Sequence, residues 1–382
     1  MSQNENQIRN DALRELMLSA SKRSTWEKTF QLTDKSLSVL LEQPDFCGIE
    51  RVIFTGHGTS YATAMCAASF MSHIGGIEAS AVTAFQLGQY TLDYIFNPSK
   101  TLVVGISCGG NTKSVVIALE AAKKVGCKTL AMSGEGDDLE IVKSAGWRIV
   151  TDCHIEQRIN AKAYSISHLF LMAGAYKLSI ALGRQIRKLD DTGVKYWNEQ
   201  LDKMIDTLKV LPKLFTDMDV VARDIDKHGY DNFAALGTGP NLGTAQEAAL
   251  KICEFSWAFC AAEEMEDFIH GRFREVNDNV ALIVLSPAGQ GMEKALEVAN
   301  VCDLAELGCI FCTDEVSDKL NKQVDHLVTM PKLENEYLSP FLYIFPAWFF
   351  GYHIMANRGG KVGESRFMYR GGFIGREARP ER

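Results

Sequence analysis

Three groups of residues in this chain of 382 have types and spacings that can do chemistry. Ala245 to Phe259 reads as a helix, and Glu247, Lys251 and Glu254 fall on it at i, i+4 and i+7, hence on one face. Sixteen residues after Glu254 comes His270, in Glu266-Asp267-Phe268-Ile269-His270-Gly271. A carboxylate and an imidazole suit proton transfer on a sugar: one removes a carbon-bound proton and the other opens the ring. The same spacing also fits an ordinary Glu–Lys pair on a solvated face, worth about 0.3–0.5 kcal/mol. The other two groups are loops, Gly56-His57-Gly58-Thr59-Ser60 and Ser107-Cys108-Gly109-Gly110-Asn111-Thr112. Gly-rich turns let backbone N–H groups approach an anion, and a following helix N-terminus favours negative charge. Thr59, Ser60, Ser107 and Thr112 add hydroxyl donors. The bland alternative is that Ser107 and Thr112 cap a helix and the glycines make a turn.

Other polar groups point to less. His57 could offer a side chain or only its backbone, and His73 and His168 read as satisfied core or surface groups. Glu263, Glu264, Glu266 and Asp267 read as a solvated run. No GxGxxG or Walker sequence occurs, so neither a dinucleotide nor a nucleoside triphosphate is indicated, and no spacing fits a zinc site. No metal and no cofactor is expected.

The elements that must position these residues alternate. Residues 8–45 look helical. Residues 51–55 read as a strand before the first Gly loop and 61–72 as a helix after it. Residues 101–106 read as a buried strand, 113–124 as a helix, 128–132 as a strand and 161–182 as a long helix. Alternating strands and helices mean parallel sheets covered on both faces. The pattern recurs: Gly237-Thr238-Gly239-Pro240 begins 181 residues after Gly56, and Ser286-Pro287-Ala288-Gly289 begins 179 after Ser107. Two strand–loop pairs at nearly one offset imply duplication of a whole domain. In the second copy Pro287-Ala288-Gly289 stands where hydroxyls would be needed to hold phosphate. The fold expected is α/β: two parallel sheets flanked by helices. A helical segment 1–47 precedes domain 48–195, a linker helix 196–228 joins domain 229–350, and a tail 351–382 completes the site.

Composition bounds the partners. Apolar residues make up 46%, charged residues 23%, and the net charge is −8 with pI about 5.6. That excludes a mostly disordered chain and argues against nucleic acid, yet leaves small anions open. The polar start is no secretory signal, and the uncharged stretch 337–357, broken by Pro340 and Pro346, reads as a buried helix rather than a membrane span. Ten cysteines in mostly apolar surroundings, including the Cys309–Cys312 pair in a strand-like run, point to reduced structural thiols and a cytoplasmic location.

These motifs together resemble the tandem sugar isomerase (SIS) domain family, above all the isomerase half of glucosamine-6-phosphate synthase and the fructosamine-6-phosphate deglycases. The resemblance covers residues 48 to 370. Gly58-Thr59-Ser60 matches the family's first sugar loop and Ser107-x-x-Gly110-x-Thr112 its phosphate loop. Lys251-x-x-Glu254, then His270-Gly271, matches its catalytic helix and ring-opening histidine. The resemblance implies that Ser107, Thr112 and the backbone of Cys108 and Gly109 hold a phosphate. It implies that Gly58, Thr59, Ser60 and Lys251 contact the substrate, and that Glu254 moves a proton between C1 and C2. It further implies that His270 assists ring opening from a neighbouring subunit, hence a homodimer with shared sites.

Departures from the family matter. The synthase's glutaminase domain is not expected ahead of residue 48, so glutamine is not the expected nitrogen source. Gly109 replaces a hydroxyl residue, and Asn160-Ala161-Lys162-Ala163-Tyr164 replaces a hydroxyl-bearing segment. Arg370 stands where the synthase has its imine-forming lysine; Arg stays protonated and cannot form that imine, though it can clamp an anion. The expected partner is a phosphorylated sugar or sugar amine. The leading expectation is a deglycase acting on a 6-phosphorylated fructosamine. An aldose–ketose phosphosugar isomerase or aminosugar-phosphate deaminase, and a non-catalytic sugar-phosphate-binding regulator, are the alternatives.

Overall fold

Thr101–Ile106 and Val280–Leu285 are short apolar runs without a charge, and each becomes the central strand of a five-stranded parallel sheet. In the computed structural model, which describes residues 3–158 and 165–360, the first sheet comprises β1 (Arg51–Gly56), β2 (Glu78–Thr83), β3 (Thr101–Ile106), β4 (Lys128–Ser133) and β5 (Trp147–Val150). Its order is β2-β1-β3-β4-β5. The second comprises β6 (Asn232–Leu236), β7 (Phe259–Glu263), β8 (Val280–Leu285), β9 (Gly308–Thr313) and β10 (His326–Thr329), in the order β7-β6-β8-β9-β10. Each sheet therefore runs second, first, third, fourth, fifth in chain order, with every pairing parallel.

Both faces of the first sheet are buried, which is why its strands are apolar at successive positions. Val52, Phe54, Leu102, Val104, Leu130 and Met132 face one core with helices Thr59–Phe70 and Ile166–Gln185. Ile53, Val103 and Ala131 face the other with helix Lys113–Lys124. In the second sheet Cys309 and Cys312 are fully buried within β9, as structural thiols.

The chain forms two compact units: the described residues within 22–202, and those within 1–21 and 203–364. The helical start is thus divided. Helix Gln3–Ser19 joins the second unit, where Asn10 Nδ2 donates to Gly360 C=O at 3.3 Å. Helix Ser24–Leu41 joins the first, where Thr33 Oγ1 donates to Val150 C=O at 3.4 Å. The stretch read as one linker helix is two, Asp191–Thr207 and Leu211–His228, separated by the turn Leu208–Val210.

Helix Pro340–Asn357 is buried over nearly its whole length within the second unit, packed against helices Leu211–His228 and Leu242–Ser256. Its one imidazole is satisfied there, His353 Nε2 donating to Phe215 C=O at 2.9 Å. Among the described residues, Ile166–Gln185 is the helix long and apolar enough to cross a membrane, and 89% of its most apolar window is buried inside the protein.

Strand order places the loops. The chain leaves β1 for β2 on one side and returns to β3 on the other, so β1 and β3 flank a switch point, where ligands of open parallel sheets bind beyond the strand carboxyl ends. The Gly56 and Ser107 loops leave the carboxyl ends of these two paired strands.

Candidate active site

Beyond β1 the chain turns directly into helix Thr59–Phe70. Gly58, at φ +55° and ψ −130°, makes that turn in a region open to glycine. Thr59 and Ser60 fall in the helix's first turn, where N–H groups lack intrahelical acceptors. His57 Nε2 accepts the Phe85 N–H at 3.3 Å, and burial lowers the imidazole's pKa, so the neutral ring braces the loop.

Beyond β3, Ser107 is buried and its Oγ lies 3.0 Å from Thr112 Oγ1. Gly110, at φ +69°, closes the turn by donating its N–H to Ser107 C=O at 3.1 Å. Thr112 occupies the N-cap of helix Lys113–Lys124, but its side chain makes no capping bond and faces Ser107 instead. The capping alternative thus fails for Thr112. His154 Nε2 donates to Cys108 C=O at 2.8 Å, and in a trans peptide the following N–H, that of Gly109, points the opposite way. At Gly109 a Cβ would meet no atom closer than Gln157 Nε2 at 3.9 Å, so packing does not demand a glycine there.

In the second unit the helix expected over residues 245–259 runs Leu242–Ser256 instead, ended by Trp257 in the left-handed conformation, and Phe259 opens β7. The carboxylate–lysine face is not solvated. Lys251 and Glu247 have side chains 1% and 0% exposed, with Lys251 Nζ 2.7 Å from Glu254 Oε2 and 3.6 Å from Glu247 Oε1. Glu254 itself is 44% exposed. A buried ammonium held between two carboxylates therefore presents one of them to solvent in a fixed orientation.

His270 follows helix Met265–Ile269 and is 72% exposed, with Nε2 2.9 Å from Glu266 Oε1. Lys294 also pairs with Glu266, and Lys294 first and His270 second hold that carboxyl below its usual range. The structure thus joins Ser107 to Thr112 and Lys251 to Glu254, while giving His270 the partner Glu266 rather than Glu254. The acidic run is more specific than solvation requires. Glu263 pairs with Arg272 at 2.9 Å. Glu264 caps Met265–Ile269, accepting from Glu266 and Asp267 N–H groups, and also accepts the Thr238 hydroxyl. His168 is buried on Thr63 Oγ1 at 2.8 Å, and His73 lies on Ser69 C=O at 2.9 Å, as core and surface groups. Arg370 and the segment 160–164 lie outside the described residues.

The loop after β8, which matches the Ser107 loop in place, is filled by the protein's own carboxylates. Ala288 N–H donates to Asp314 Oδ1 at 2.6 Å, and Gln290 N–H to Glu336 Oε2 at 3.2 Å. A side chain at position 289 would run into the Glu336 carboxylate. Tyr343 O–H holds Asp314 Oδ1 at 3.0 Å; burial, then Asp314, pushes that phenol well up. Sequence reading missed Asp314 and Glu336, although Asp314 directly follows β9 and so had to lie at a strand carboxyl end.

Residues 46–175 match the SIS domain family. Over 330 residues the chain is 26% identical to glutamine–fructose-6-phosphate aminotransferase (isomerizing) of Thermococcus kodakarensis, covering 84% of this chain and 52% of that protein. The chain spans about half the length of the curated relatives it matches. Its fold matches the C-terminal domain of glucosamine-fructose-6-phosphate aminotransferase from Francisella tularensis, with TM-score 0.73, 16% identity, and coverage of 88% and 96% of the two chains. It also matches tagatose-6-phosphate ketose/aldose isomerase from Escherichia coli, with TM-score 0.69, 17% identity and 91% of each chain covered. This chain therefore carries a SIS domain, at residues 46–175, and is similar along most of its length to the isomerizing aminotransferases.

Proposed function

We propose that the chain is a phosphosugar-processing enzyme with two SIS-type repeats, and that its reaction is cleavage of a 6-phosphorylated fructosamine to a hexose 6-phosphate and a free amine. The observation that carries the reading is the Ser107–Thr112 turn. Its two hydroxyls face each other, its Gly109 N–H is turned away from His154, and a helix N-terminus follows. Such a turn holds a phosphate with neutral donors, so the net charge of −8 is no obstacle.

In this reading Thr59 and Ser60 hold the sugar, and Glu254, braced by Lys251, is the general base. Glu254 takes the C1 proton of the ketoamine while O2 takes a proton from solvent, giving an enaminol. Glu254 returns its proton to C2 as the nitrogen lone pair forms the C1=N bond, leaving an iminium. Water adds to C1 and the C1–N bond breaks, releasing the amine. Lys251 acts by positioning Glu254. His270 would come from a second copy of the chain to open the ring, the copies forming a homodimer. The substrate already carries its nitrogen on C1, so no enzyme lysine is required and Arg370 is free to bind an anion.

The test is a panel of 6-phosphorylated Amadori compounds against hexose and hexosamine phosphates, read by amine release and by isomer formation. Amine and hexose 6-phosphate released in equal amounts from the Amadori compounds support the deglycase. Isomer formation from a hexose phosphate, with no amine released, would replace it with an isomerase. Binding without turnover of any substrate would replace it with a regulator.

A further inference from the structure

Cys108 lies in the phosphate turn, and Cys153 lies beyond β5, forty-five residues on, yet the two residues bond to each other twice. The Cys108 thiol donates to Cys153 C=O at 2.8 Å, and the Cys153 thiol donates to Cys108 C=O at 3.6 Å. Cys108 is partly exposed and Cys153 is buried behind it. Neither thiol takes part in the reaction proposed above. A partly open thiol backed by a second, enclosed one is the arrangement in which an external disulfide is attacked by the first and resolved by the second.

We propose that Cys108 and Cys153 form a modification site, where a low-molecular-weight disulfide converts the pair to an intramolecular disulfide that closes the phosphate turn. The Cys108 thiolate attacks one sulfur of the reagent R–S–S–R and releases one RS⁻. Cys153 then attacks Cys108 Sγ in the mixed disulfide and releases the second. The two protons leave on the two RSH, so one protein dithiol is oxidised and one reagent disulfide is reduced. The new bond replaces the Cys108 thiol's contact with the Cys153 carbonyl and draws Cys108 towards β5. That shifts the Cys108–Gly109 peptide, whose N–H serves the anion. Burial raises the Cys153 thiol above its usual range, so Cys108 meets the reagent first.

The functional consequence, though not the chemistry, rests on the phosphate reading of the Ser107 turn. Linkage makes the coupling reciprocal: the disulfide weakens sugar-phosphate binding by roughly ten-fold or more, and bound sugar phosphate disfavours the disulfide at equilibrium by the same factor.

The experiment uses the full chain, reduced and then equilibrated with oxidised glutathione, with and without fructose 6-phosphate. Peptide mass mapping follows, with calorimetric binding of fructose 6-phosphate in both redox states. The expected results are a Cys108–Cys153 cross-link, a smaller cross-linked fraction at equilibrium when fructose 6-phosphate is present, and weakened binding that dithiothreitol restores. Cys153→Ser should bind fructose 6-phosphate as the parent does, while its Cys108 stops at the glutathione adduct. A different cross-linked pair, or none, overturns the site. A mapped Cys108–Cys153 bond with unchanged affinity overturns the control. If the reduced protein binds no fructose 6-phosphate, the phosphate reading fails and the control with it, while the mass map still decides the site.

Discussion

The turn after β3 and the turn after β8 leave equivalent central strands of two sheets with one topology, and they are filled in opposite ways. After β3, Ser107 and Thr112 point hydroxyls at each other, and no carboxylate of the described residues bonds the backbone of residues 107–110. After β8, Asp314 and Glu336 accept the N–H groups of Ala288 and Gln290. A carboxylate is the cheapest substitute for a bound anion, because it brings the charge that a cradle of N–H groups favours. Under the proposed function the first turn stays open to a phosphate, while the second is closed by the protein's own side chains. The second unit carries instead the proton-transfer candidates, Lys251–Glu254 and His270. In the proposed reading, the contrast is that one sheet holds the substrate and the other acts on it.

Four substitutions break or sharpen that division. Glu254→Gln should lower kcat by about 10²–10⁴-fold and leave KM nearly unchanged, as removal of a general base should; an equal loss in KM would move Glu254 to the holding side. Lys251→Met leaves Glu247 buried without its ammonium and should cost about 3–5 kcal/mol in urea unfolding. Ser107→Ala should weaken hexose 6-phosphate binding by about 1.5–3 kcal/mol, the worth of a hydrogen bond to a charged group. In the closed turn, Glu336→Gln should cost about 0.5–1.5 kcal/mol of stability and leave sugar-phosphate affinity unchanged. A Glu336→Gln protein with altered affinity would show that the second turn also takes part in binding.

The central strand of the first sheet was legible because it is buried on both faces and reads as an apolar run: the reading over 101–106 matches β3 to the residue. The edge strands β2, β5, β7 and β10 were not, because half-exposed residues such as those of Glu78–Thr83 leave no apolar run. The helix bearing Glu254 was drawn three residues late because Trp257 and Phe259 extend its apolar pattern past the true end. Spacing placed Glu247, Lys251 and Glu254 on one face, but it did not show that Glu247 and Lys251 are buried while Glu254 is partly exposed. The helix that carries them packs against Pro340–Asn357, a helix some ninety residues away. The carboxylates that close the second turn stand 26 and 46 residues from the N–H groups they hold, beyond the reach of any local pattern. The hydroxyl turn was legible because its parts are adjacent in the chain.

The most direct test of the division is the stoichiometry of hexose 6-phosphate binding by titration calorimetry on the parent chain, on Ser107→Ala with Thr112→Val, and on Ser286→Ala. The account predicts one site per chain, abolished or weakened at least tenfold by the Ser107/Thr112 pair and untouched by Ser286→Ala, since each lost charged hydrogen bond is worth about 1.5–3 kcal/mol. Two sites per chain, or one site lost with Ser286 and kept without Ser107 and Thr112, would contradict it.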